Sequence, residues 1–265
     1  MSNSRQSAGG HDCPRLPSQV TALSFDFVHG HVIPEHFHQE DQLVYACRGV
    51  MTVRTSEGSW VVPAQRAVWI PARTRHSISI AGAVSMRTLY LRARLVKHLP
   101  RNCCVVNVSP LLQELILHAC GFRALGRRSK LHAHLIDFII DQLKTVKTVP
   151  LQLRSPSDPR AARVAALLQS DPSDSTALDE VCKEVGASKR TIERIFQQET
   201  HLSVGRWRQQ LRLMRSLQLL AAGEKITHAA LEAGYSTPSA FIAMFRKALG
   251  TTPRRYFANS ALVKT

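Results

Sequence analysis

The sequence has few acidic residues and no long hydrophobic segment. Of its 265 residues, 19 are Asp or Glu and 35 are Lys or Arg, which gives a formal net charge of +16. This excess of positive charge favours binding to a polyanion, and nucleic acid is the first candidate. No run of about 18 apolar residues is present to cross a bilayer, and the N-terminus lacks the apolar stretch of a secretory signal. We therefore expect a cytoplasmic protein without a membrane partner.

Cysteine is sparse and lacks the spacing of a metal or disulfide motif. The six cysteines are scattered along the chain and form no CxxC pair. This pattern fits neither a zinc ribbon nor a disulfide framework. We interpret the cysteines as small buried hydrophobes. The adjacent Cys103 and Cys104 leave oxidant sensing as an alternative, which would require exposed thiols of low pKa.

Residues 20–100 show the period-two alternation of short antiparallel strands. Residues 42–48 and 50–55 are interpreted as two strands on either side of Gly49. Residues 56–59 predict a hairpin turn into the next strand. The segment therefore predicts a small β-barrel or sandwich.

The pattern becomes helical in residues 101–149. Ser109 and Ser129 are each followed by an apolar stripe with helical spacing, so both are predicted N-caps. The two helices either pack on the β domain as a helical linker or form a dimerisation segment with a second subunit. We slightly favour the dimerisation segment.

The last large segment, residues 160–258, is predicted to be a separate all-α domain. Residues 150–159 contain three prolines and two serines, which is typical of a linker. At the two ends, we expect residues 1–19 to be a disordered N-terminus and residues 259–265 to be a short tail.

The all-α domain contains an internal repeat. The first copy, at about residues 177–200, turns at Gly186, and the second, at about residues 225–249, turns at Gly234. Each copy is a short helix, a tight glycine turn and a capped second helix. This is the helix–turn–helix layout, which places its second helix in the major groove of DNA.

The sequence also predicts the helix caps of the two copies and a long helix between them. Ser188 is expected to cap the second helix of the first copy, and Ser236 or Thr237 that of the second. Residues 203–222 form one long helical pattern that Gly223 ends. A helix of about twenty residues spans about 30 Å. That length is close to the distance of about 34 Å between successive major grooves on one face of DNA.

The second helix of the first copy offers several side chains to base edges. Arg190 and Arg194 are four positions apart and share one face, where each guanidinium suits guanine O6 and N7. Glu193 is expected either to accept from cytosine N4 or to pair with a neighbouring arginine. Thr191 and Gln197 are further candidates on the exposed faces.

The second helix of the second copy has fewer polar side chains that could contact base edges. Ser239 is its best direct reader, while Ile242 and Ala243 reach at most a thymine methyl group. Arg246 and Lys247 are expected to contact phosphates. We therefore predict that the first copy supplies most of the base specificity.

The second copy also carries a family signature. The residues concerned are Gly234, Tyr235, Ser236, Phe241, Phe245, Gly250, Thr252, Pro253 and Tyr256. Through them, residues 160–257 resemble the DNA-binding domain of the AraC/XylS family of bacterial transcription regulators. The resemblance implies seven helices, with two helix–turn–helix units joined by a long helix. By position, the base-facing residues of the family match Arg190, Thr191, Glu193, Arg194, Gln197, Pro238, Ser239, Ile242 and Ala243.

A histidine cluster is the chemically distinctive part of the β region. His36 and His38 point to the same face of a strand, and Gln42 and His76 would complete a divalent metal site with N and O ligands. This spacing resembles the two motifs of the cupin barrel, although metal-binding cupins usually have Glu at the position of Gln42. Three interpretations stay open: a metal site, a metal-free effector pocket and ordinary hydrogen-bonded histidines.

Together these resemblances imply an α+β protein. A cupin-like β-barrel with a helical extension precedes an all-α domain with two helix–turn–helix motifs. The expected partners are double-stranded DNA, a small-molecule effector and, for an activator, RNA polymerase, with the chain acting as a monomer or homodimer in the bacterial nucleoid. Residues 36–76 resemble a subgroup whose members tend to control an adjacent transporter gene. The alternatives are a cupin-type oxygenase or isomerase tethered to DNA, and a basic DNA binder without sequence preference.

Overall fold

The computed structural model describes residues 19–93, 95, 100–149 and 151–261. A sheet-rich unit is followed by an all-helical unit, which confirms the predicted fold class. The strands are β1 (Val20–Phe27), β2 (Val32–His36), β3 (Asp41–Thr55), β4 (Gly58–Pro63), β5 (Arg66–Ile70), β6 (His76–Leu91), β7 (Cys104–Asn107), β8 (Ala124–Leu125), β9 (Thr148–Val149) and β10 (Gln152–Arg154). The helices are α1 (Pro110–Phe122), α2 (Lys130–Lys144), α3 (Pro159–Ser170), α4 (Leu178–Glu184), α5 (Lys189–Thr200), α6 (Val204–Ala221), α7 (Ile226–Glu232), α8 (Pro238–Leu249) and α9 (Pro253–Ala261).

Two predicted terminal segments fall largely outside this range. Of the expected disordered N-terminus, residues 1–18 lie outside the described residues, and so do residues 262–265 of the expected tail. None of the helices in the described ranges is long and apolar enough to cross a membrane.

The centre of the sheet is one long antiparallel ladder between β3 and β6. It runs from the pair Asp41 and Leu91 to the pair Arg54 and Ser77. β1 and β2 pair with the two ends of β6, while β5 and β4 pair with the two ends of β3. The ladder therefore carries the flanking strands on both sides.

The prediction of two strands around Gly49 is wrong. Residues 42–55 belong to the single strand β3, whose register against β6 shifts between Ala46 and Arg48 and again between Arg48 and Val50. A bulge takes up an extra residue and bends the strand without ending it. Gly49 therefore lies in an irregular stretch of a continuous strand. The hairpin turn is also shorter than predicted, because β4 already begins at Gly58.

The sheet extends into segments that the sequence assigned to helices and to a linker. β7 pairs with β5, and β10, within the predicted linker 150–159, pairs with β4. Strands of three or four residues are too short to show a period of their own. Their pairing partners are distant in the chain, so local pattern could not reveal them.

The alternation along β3 separates two apolar layers. Leu43 and Tyr45 face the layer that α1 and α2 cover, whereas Val44 and Ala46 face the other layer. α1 and α2 begin as predicted, since Ser109 Oγ accepts from Leu112 N and Ser129 Oγ accepts from His132 N. This helical hairpin therefore packs on the β domain.

The second layer of the sheet continues into the core of the helical unit. α6 lies against the β domain, where Gln218 Nε2 donates to Thr52 Oγ1 at 2.8 Å and Trp207 Nε1 donates to Arg154 O at 2.8 Å. Gly82 lies so close to α6 that a Cβ there would collide with the carbonyl oxygen of Ala221. The helix between the two repeat copies is thus also the main contact with the β domain.

Candidate nucleic-acid interface and histidine cluster

The first helix–turn–helix unit consists of α4, a turn and α5. Gly186 occupies the turn with φ +69, a conformation that glycine adopts without a steric penalty. Ser188 Oγ accepts a hydrogen bond from Thr191 N at 3.2 Å and so caps α5, as predicted. α5 ends where His201 adopts a left-handed conformation.

α5 has a sharply divided surface. Ile192, Ile195 and Phe196 are buried, while Arg190 and Arg194 are exposed. Among the described residues, no carboxylate forms an ion pair with either arginine; Arg194 Nη1 donates to Gln198 Oε1 at 3.0 Å. Gln197 is exposed and Thr191 is half-buried. The predicted base-facing set thus includes two guanidiniums without an ion-pair partner on one exposed face.

Glu193 makes a contact that neither prediction for it anticipated. Its Oε2 accepts a hydrogen bond from the backbone N–H of Val204, the first residue of α6, at 3.2 Å. The first backbone N–H groups of a helix lack partners within the helix, and a carboxylate satisfies them well. Glu193 therefore holds the start of the long helix against α5.

The second unit consists of α7, a turn and α8. Gly234 has φ +79 in the turn. Thr237 Oγ1 accepts from Ala240 N at 3.2 Å, so Thr237, and not Ser236, is the cap. Phe241 and Phe245 are fully buried on the inner face of α8.

The outer face of α8 is small and weakly polar near its start. Ser239 and Ala243 are exposed, whereas Ile242 is half-buried and packs against the core. Arg246 and Lys247 are exposed in the last turn. The two basic residues that the sequence analysis assigned to phosphate contacts are therefore exposed at the C-terminal end of α8.

Two arginines of α6 connect the units, and the sequence analysis missed them. Arg208 donates to the carbonyl oxygens of Thr176 and Asp174, and Arg212 Nε donates to Pro172 O at 3.0 Å. The i, i+4 spacing of these arginines was visible, but backbone carbonyl partners leave no trace in a sequence.

The guanidinium of Arg212 also lies directly over the turn of the second unit. A Cβ on Gly234 would come within 2.7 Å of Arg212 Cζ. Arg212 therefore contacts the loop before α4 and the turn before α8 at the same time.

The predicted histidines lie together at one end of the β domain. The ligand nitrogens of His36, His38 and His76 all lie within 4.8 Å of one another. His36 Nδ1 is 2.7 Å from Pro34 O, and His76 Nδ1 is 2.9 Å from Thr74 O. Because a carbonyl only accepts, both Nδ1 atoms carry a proton, and Nε2 is the nitrogen of each ring that faces away from these carbonyls.

Burial makes this cluster unusual. His76 Nε2 and Gln42 Oε1 are buried and have no hydrogen-bond partner among the described residues, while Gln42 Nε2 donates to Thr88 Oγ1 at 3.0 Å. The pKa of His76 is lowered to about 4, chiefly by burial, with the Thr74 carbonyl opposing the shift and nearby His36 adding to it. His76 is therefore neutral at physiological pH, which is the form that binds metals.

Cys103 and Cys104 are not suited to redox sensing. Both are buried, and burial raises their pKa values to about 12 and about 11. A reactive thiol needs the opposite shift and solvent access. The interpretation as buried hydrophobes agrees with the structure for Cys47, Cys103, Cys104 and Cys182, whereas Cys120 is only partly buried and Cys13 lies outside the described residues.

Taken together, the two units define a DNA-binding protein of the double helix–turn–helix class with an attached β domain. The profile of a helix-turn-helix domain family matches residues 181–259. The chain is 34% identical over 230 residues to the HTH-type transcriptional regulator NimR of Escherichia coli, covering 87% of this chain and 84% of NimR. The chain belongs to the AraC-type family of helix–turn–helix transcription regulators.

Two other relatives match only about half of the chain or less. RipA of Corynebacterium glutamicum is 34% identical over 42% of this chain and 32% of its own length. GbdR of Pseudomonas aeruginosa is 30% identical over 53% of this chain and 39% of its own length. All three relatives are named as regulators, so they lend no support to the alternative of an oxygenase or isomerase.

Solved structures are similar at a lower level. ToxT of Vibrio cholerae is 12% identical, with a TM-score of 0.41, over 92% of this chain and 99% of that one. An AraC-type regulator from Chromobacterium violaceum is 28% identical, with a TM-score of 0.38, over 41% of this chain and 97% of that one.

Proposed function

We propose that α5 reads base edges in one major groove, while α8 holds the adjacent groove mainly through phosphates. The observation that carries this proposal is the exposed, ion-pair-free face of α5 with Arg190 and Arg194. A guanidinium presents two parallel donors that match guanine O6 and N7. Thr191 and Gln197 lie on the same helix and extend the reading surface.

The lower polarity of α8 assigns it a different role. Ser239 is the polar side chain at its start, and Ile242 and Ala243 can contact only thymine methyl groups. Arg246 and Lys247 bind phosphates, which fixes the position of the unit without reading sequence. In this proposal Glu193 is a positioning residue for α6 and makes no base contact.

The helix between the units sets the spacing of the two contacts. α6 has 18 residues, which corresponds to about 27 Å at 1.5 Å per residue. Successive major grooves on one face of DNA are about 34 Å apart. With one reading helix beyond each end of α6, two adjacent grooves on the same face are within reach.

The regulatory part of the proposal concerns the β domain. We propose that a small effector bound to this domain shifts the affinity of the protein for its operator. The protein acts on a gene next to its own. It works as a homodimer, and RNA polymerase is its partner in activation. The contact between the β domain and α6 supports such coupling, since it links the effector domain to the helix between both reading units.

Footprinting on the DNA upstream of its own and the neighbouring gene tests the DNA-binding proposal. The expected result is one protected site that covers two successive major grooves, at physiological salt and with non-specific competitor DNA. The footprint is measured in the presence and in the absence of cell extract, which serves as a source of effector. If protection were diffuse and abolished by competitor DNA under both conditions, the proposal would be contradicted.

We also propose that His36, His38 and His76 bind a divalent metal ion, with Gln42 as an oxygen ligand. The fixed Nδ1 protons of His36 and His76 support this, because backbone carbonyls orient metal-binding histidines in the same way. The unsatisfied Nε2 of His76 and Oε1 of Gln42 would gain a partner. The ion would supply a fixed positive charge to the site; the neutral amide of Gln42 makes its binding weaker than with a carboxylate.

Metal content tests this second proposal. Purified protein is dialysed against Zn²⁺ or Co²⁺, and bound metal is measured by mass spectrometry and by cobalt absorbance. One ion per chain is expected, with loss in His36→Ala and His76→Ala and no loss in His132→Ala, a histidine outside the cluster. Metal binding that is absent, or unchanged in the cluster variants, would show that the histidines are structural or line a metal-free effector pocket.

A further inference from the structure

The connecting segment, residues 155–158, joins β10 to α3 and is hydrogen-bonded near both of its ends. At its start, Ser155 N donates at 3.2 Å to the carbonyl oxygen of Glu57, in the turn between β3 and β4. Near its end, Ser157 N donates to Glu199 Oε2 at 2.6 Å. One end of the segment is therefore held by the β domain and the other end by α5.

Glu199 lies in the last turn of α5, and one of its carboxylate oxygens accepts three hydrogen bonds. Besides Ser157 N, the donors to Oε2 are Ser157 Oγ at 2.9 Å and Asp158 N at 3.2 Å. Hydrogen bonds to a carboxylate are about twice as strong as those between neutral groups. Because Asp158 is also the N-cap of α3, the carboxylate joins the end of α5 to the start of α3.

The backbone between the two attachments has little conformational freedom. Only Pro156 separates Ser155 from Ser157, and it is buried. The ring of a proline fixes its own φ and restricts the backbone of the residue before it. A displacement of the paired strands β4 and β10 therefore reaches α5 through a short and restricted stretch of chain.

α3 contacts the first helix–turn–helix unit at a second point. Arg163 Nη2 donates at 3.2 Å to the carbonyl oxygen of Val185, which ends α4 immediately before the turn. Val164 and Leu168 of α3 are buried in the same core as the inner face of α5. α3 and the connecting segment thus hold the unit at the turn before α5 and at the last turn of α5.

The second unit has no equivalent carboxylate. The position 49 residues after Glu199 is Ala248 in α8, whose methyl group cannot accept a hydrogen bond. Glu199 is therefore not part of the packing that the two units share. The unit that carries this carboxylate is also the unit that exposes Arg190 and Arg194.

We propose that Glu199 is a positioning residue that fixes the reading helix α5 relative to the connecting segment. Contacts to base edges depend closely on the position of the helix, whereas attraction to phosphates depends much less on it. Glu199 therefore raises the preference of the protein for its operator over other DNA. This effect on DNA binding rests on the proposed function, but the attachment of α5 to the connecting segment does not.

Hydrogen exchange followed by mass spectrometry tests the attachment in the full-length protein without DNA. Pro156 and Pro159 have no backbone N–H, so the amides of Ser157 and Asp158 contribute much of the signal of a peptide that contains residues 155–160. In Glu199→Ala these amides should exchange about tenfold faster, the change expected for the loss of a hydrogen bond to a charged group. Equal exchange in the wild type and in Glu199→Ala would overturn the proposal.

Gel shifts with operator and with unrelated DNA test the positioning role. In Glu199→Ala the ratio of the two affinities should fall about fivefold to tenfold, mainly through weaker operator binding. Glu199→Gln keeps an acceptor oxygen and should recover most of this ratio. Glu184→Ala is the matched control and should keep the wild-type ratio, since Glu184 is an exposed carboxylate at the end of α4 and its loss changes the net charge equally.

Circular dichroism establishes that each variant is folded. An unchanged affinity ratio in Glu199→Ala, together with faster exchange of the connecting segment, would show that the contact is only structural and would overturn the positioning role. A wild type without any preference for the operator would instead contradict the proposed function. The exchange rates would then still decide whether Glu199 attaches α5 to the connecting segment.

Discussion

The two helix–turn–helix units share an internal frame and differ in their outer faces. Phe196 of the first unit meets Trp207 of the following helix α6 edge to face, with ring centroids 5.5 Å apart. Phe245 of the second unit meets Tyr256 of the following helix α9 in the same manner at 5.7 Å. Both inner pairs follow the repeat in the sequence, at an offset of 49 positions. The packing of one unit is thus repeated in the other.

The outer faces have diverged. α5 exposes Arg190 and Arg194 near its start and middle, while α8 exposes Ser239 and Ala243 there. A buried aromatic pair restricts what can replace it, whereas an exposed helix face tolerates changes with little effect on stability. In this chain the buried packing of the motif is repeated, whereas the composition of its exposed helix face is not.

The largest expected effect tests whether the two frames are equivalent. Phe196→Ala and Phe245→Ala each remove a fully buried ring, and each should lower the free energy of unfolding by about 3–5 kcal/mol. Urea denaturation followed by circular dichroism measures this. Leu231→Ala, at a residue 55% exposed, should stay within about 0.5 kcal/mol of the wild type. A small loss in only one of the phenylalanine variants would break the equivalence.

The next effect tests whether the outer faces differ in function. Arg190→Ala and Arg194→Ala should each cost about 1–3 kcal/mol of operator binding and relax the base preference at one position. Arg246→Ala should weaken binding to all sequences alike and lower the salt dependence by about one phosphate contact. Gel shifts on operator variants at several salt concentrations separate the two outcomes. Unchanged base preference in both α5 variants, shown to be folded, would refute the assigned readout.

The turns provide a smaller test. Alanine at Gly186 or Gly234 must adopt a positive φ, which costs about 1–2 kcal/mol. Gly234→Ala should cost about 1 kcal/mol more, because its Cβ displaces the guanidinium of Arg212, whereas the space beside Gly186 is open. Thermal melts of both variants, and of Gly234→Ala combined with Arg212→Ala, measure the difference. An extra cost that persists in the double variant would contradict this role of Arg212.

The smallest effect concerns the helix caps. Ser188→Ala and Thr237→Ala should each lower the free energy of unfolding by about 1 kcal/mol, since each removes a side-chain hydrogen bond to a helix N-terminus. Ser236→Ala is the control for the second unit and should have almost no effect. If Ser236→Ala and Thr237→Ala were equally destabilising in urea titrations, the assignment of the cap would be wrong.

Local chemistry made much of the helical unit predictable. A capping serine or threonine, a glycine turn and an apolar stripe are all encoded within a few residues, and the repeat showed each of them twice. Ser188 therefore caps α5 as predicted, and outside the repeat Ser109 and Ser129 cap α1 and α2 as predicted. The base contacts of Arg190 and Arg194 stay predictions.

Features that depend on distant partners could not be predicted. β10 exists because it pairs with β4, about ninety residues earlier, and Glu193 contacts Val204 because two helices meet there. Likewise, the sequence suggested a histidine site but could not show the two backbone carbonyls that fix the tautomers of His36 and His76. The docking of α6 on the β domain had no signal in the sequence.

The short connection between β10 and α3 determines how tightly the two domains are associated. Only residues 155–158 separate these elements, so the domains behave as binding partners tethered at an effective concentration on the order of 1 mM. If the two domains, as separate fragments, bound each other with a dissociation constant of about 100 µM, the tethered domains would be in contact about nine-tenths of the time. Opening such an interface would cost little more than 1 kcal/mol. A ligand that binds only one of the two arrangements, at about ten times its dissociation constant, would then be enough to shift the balance between them.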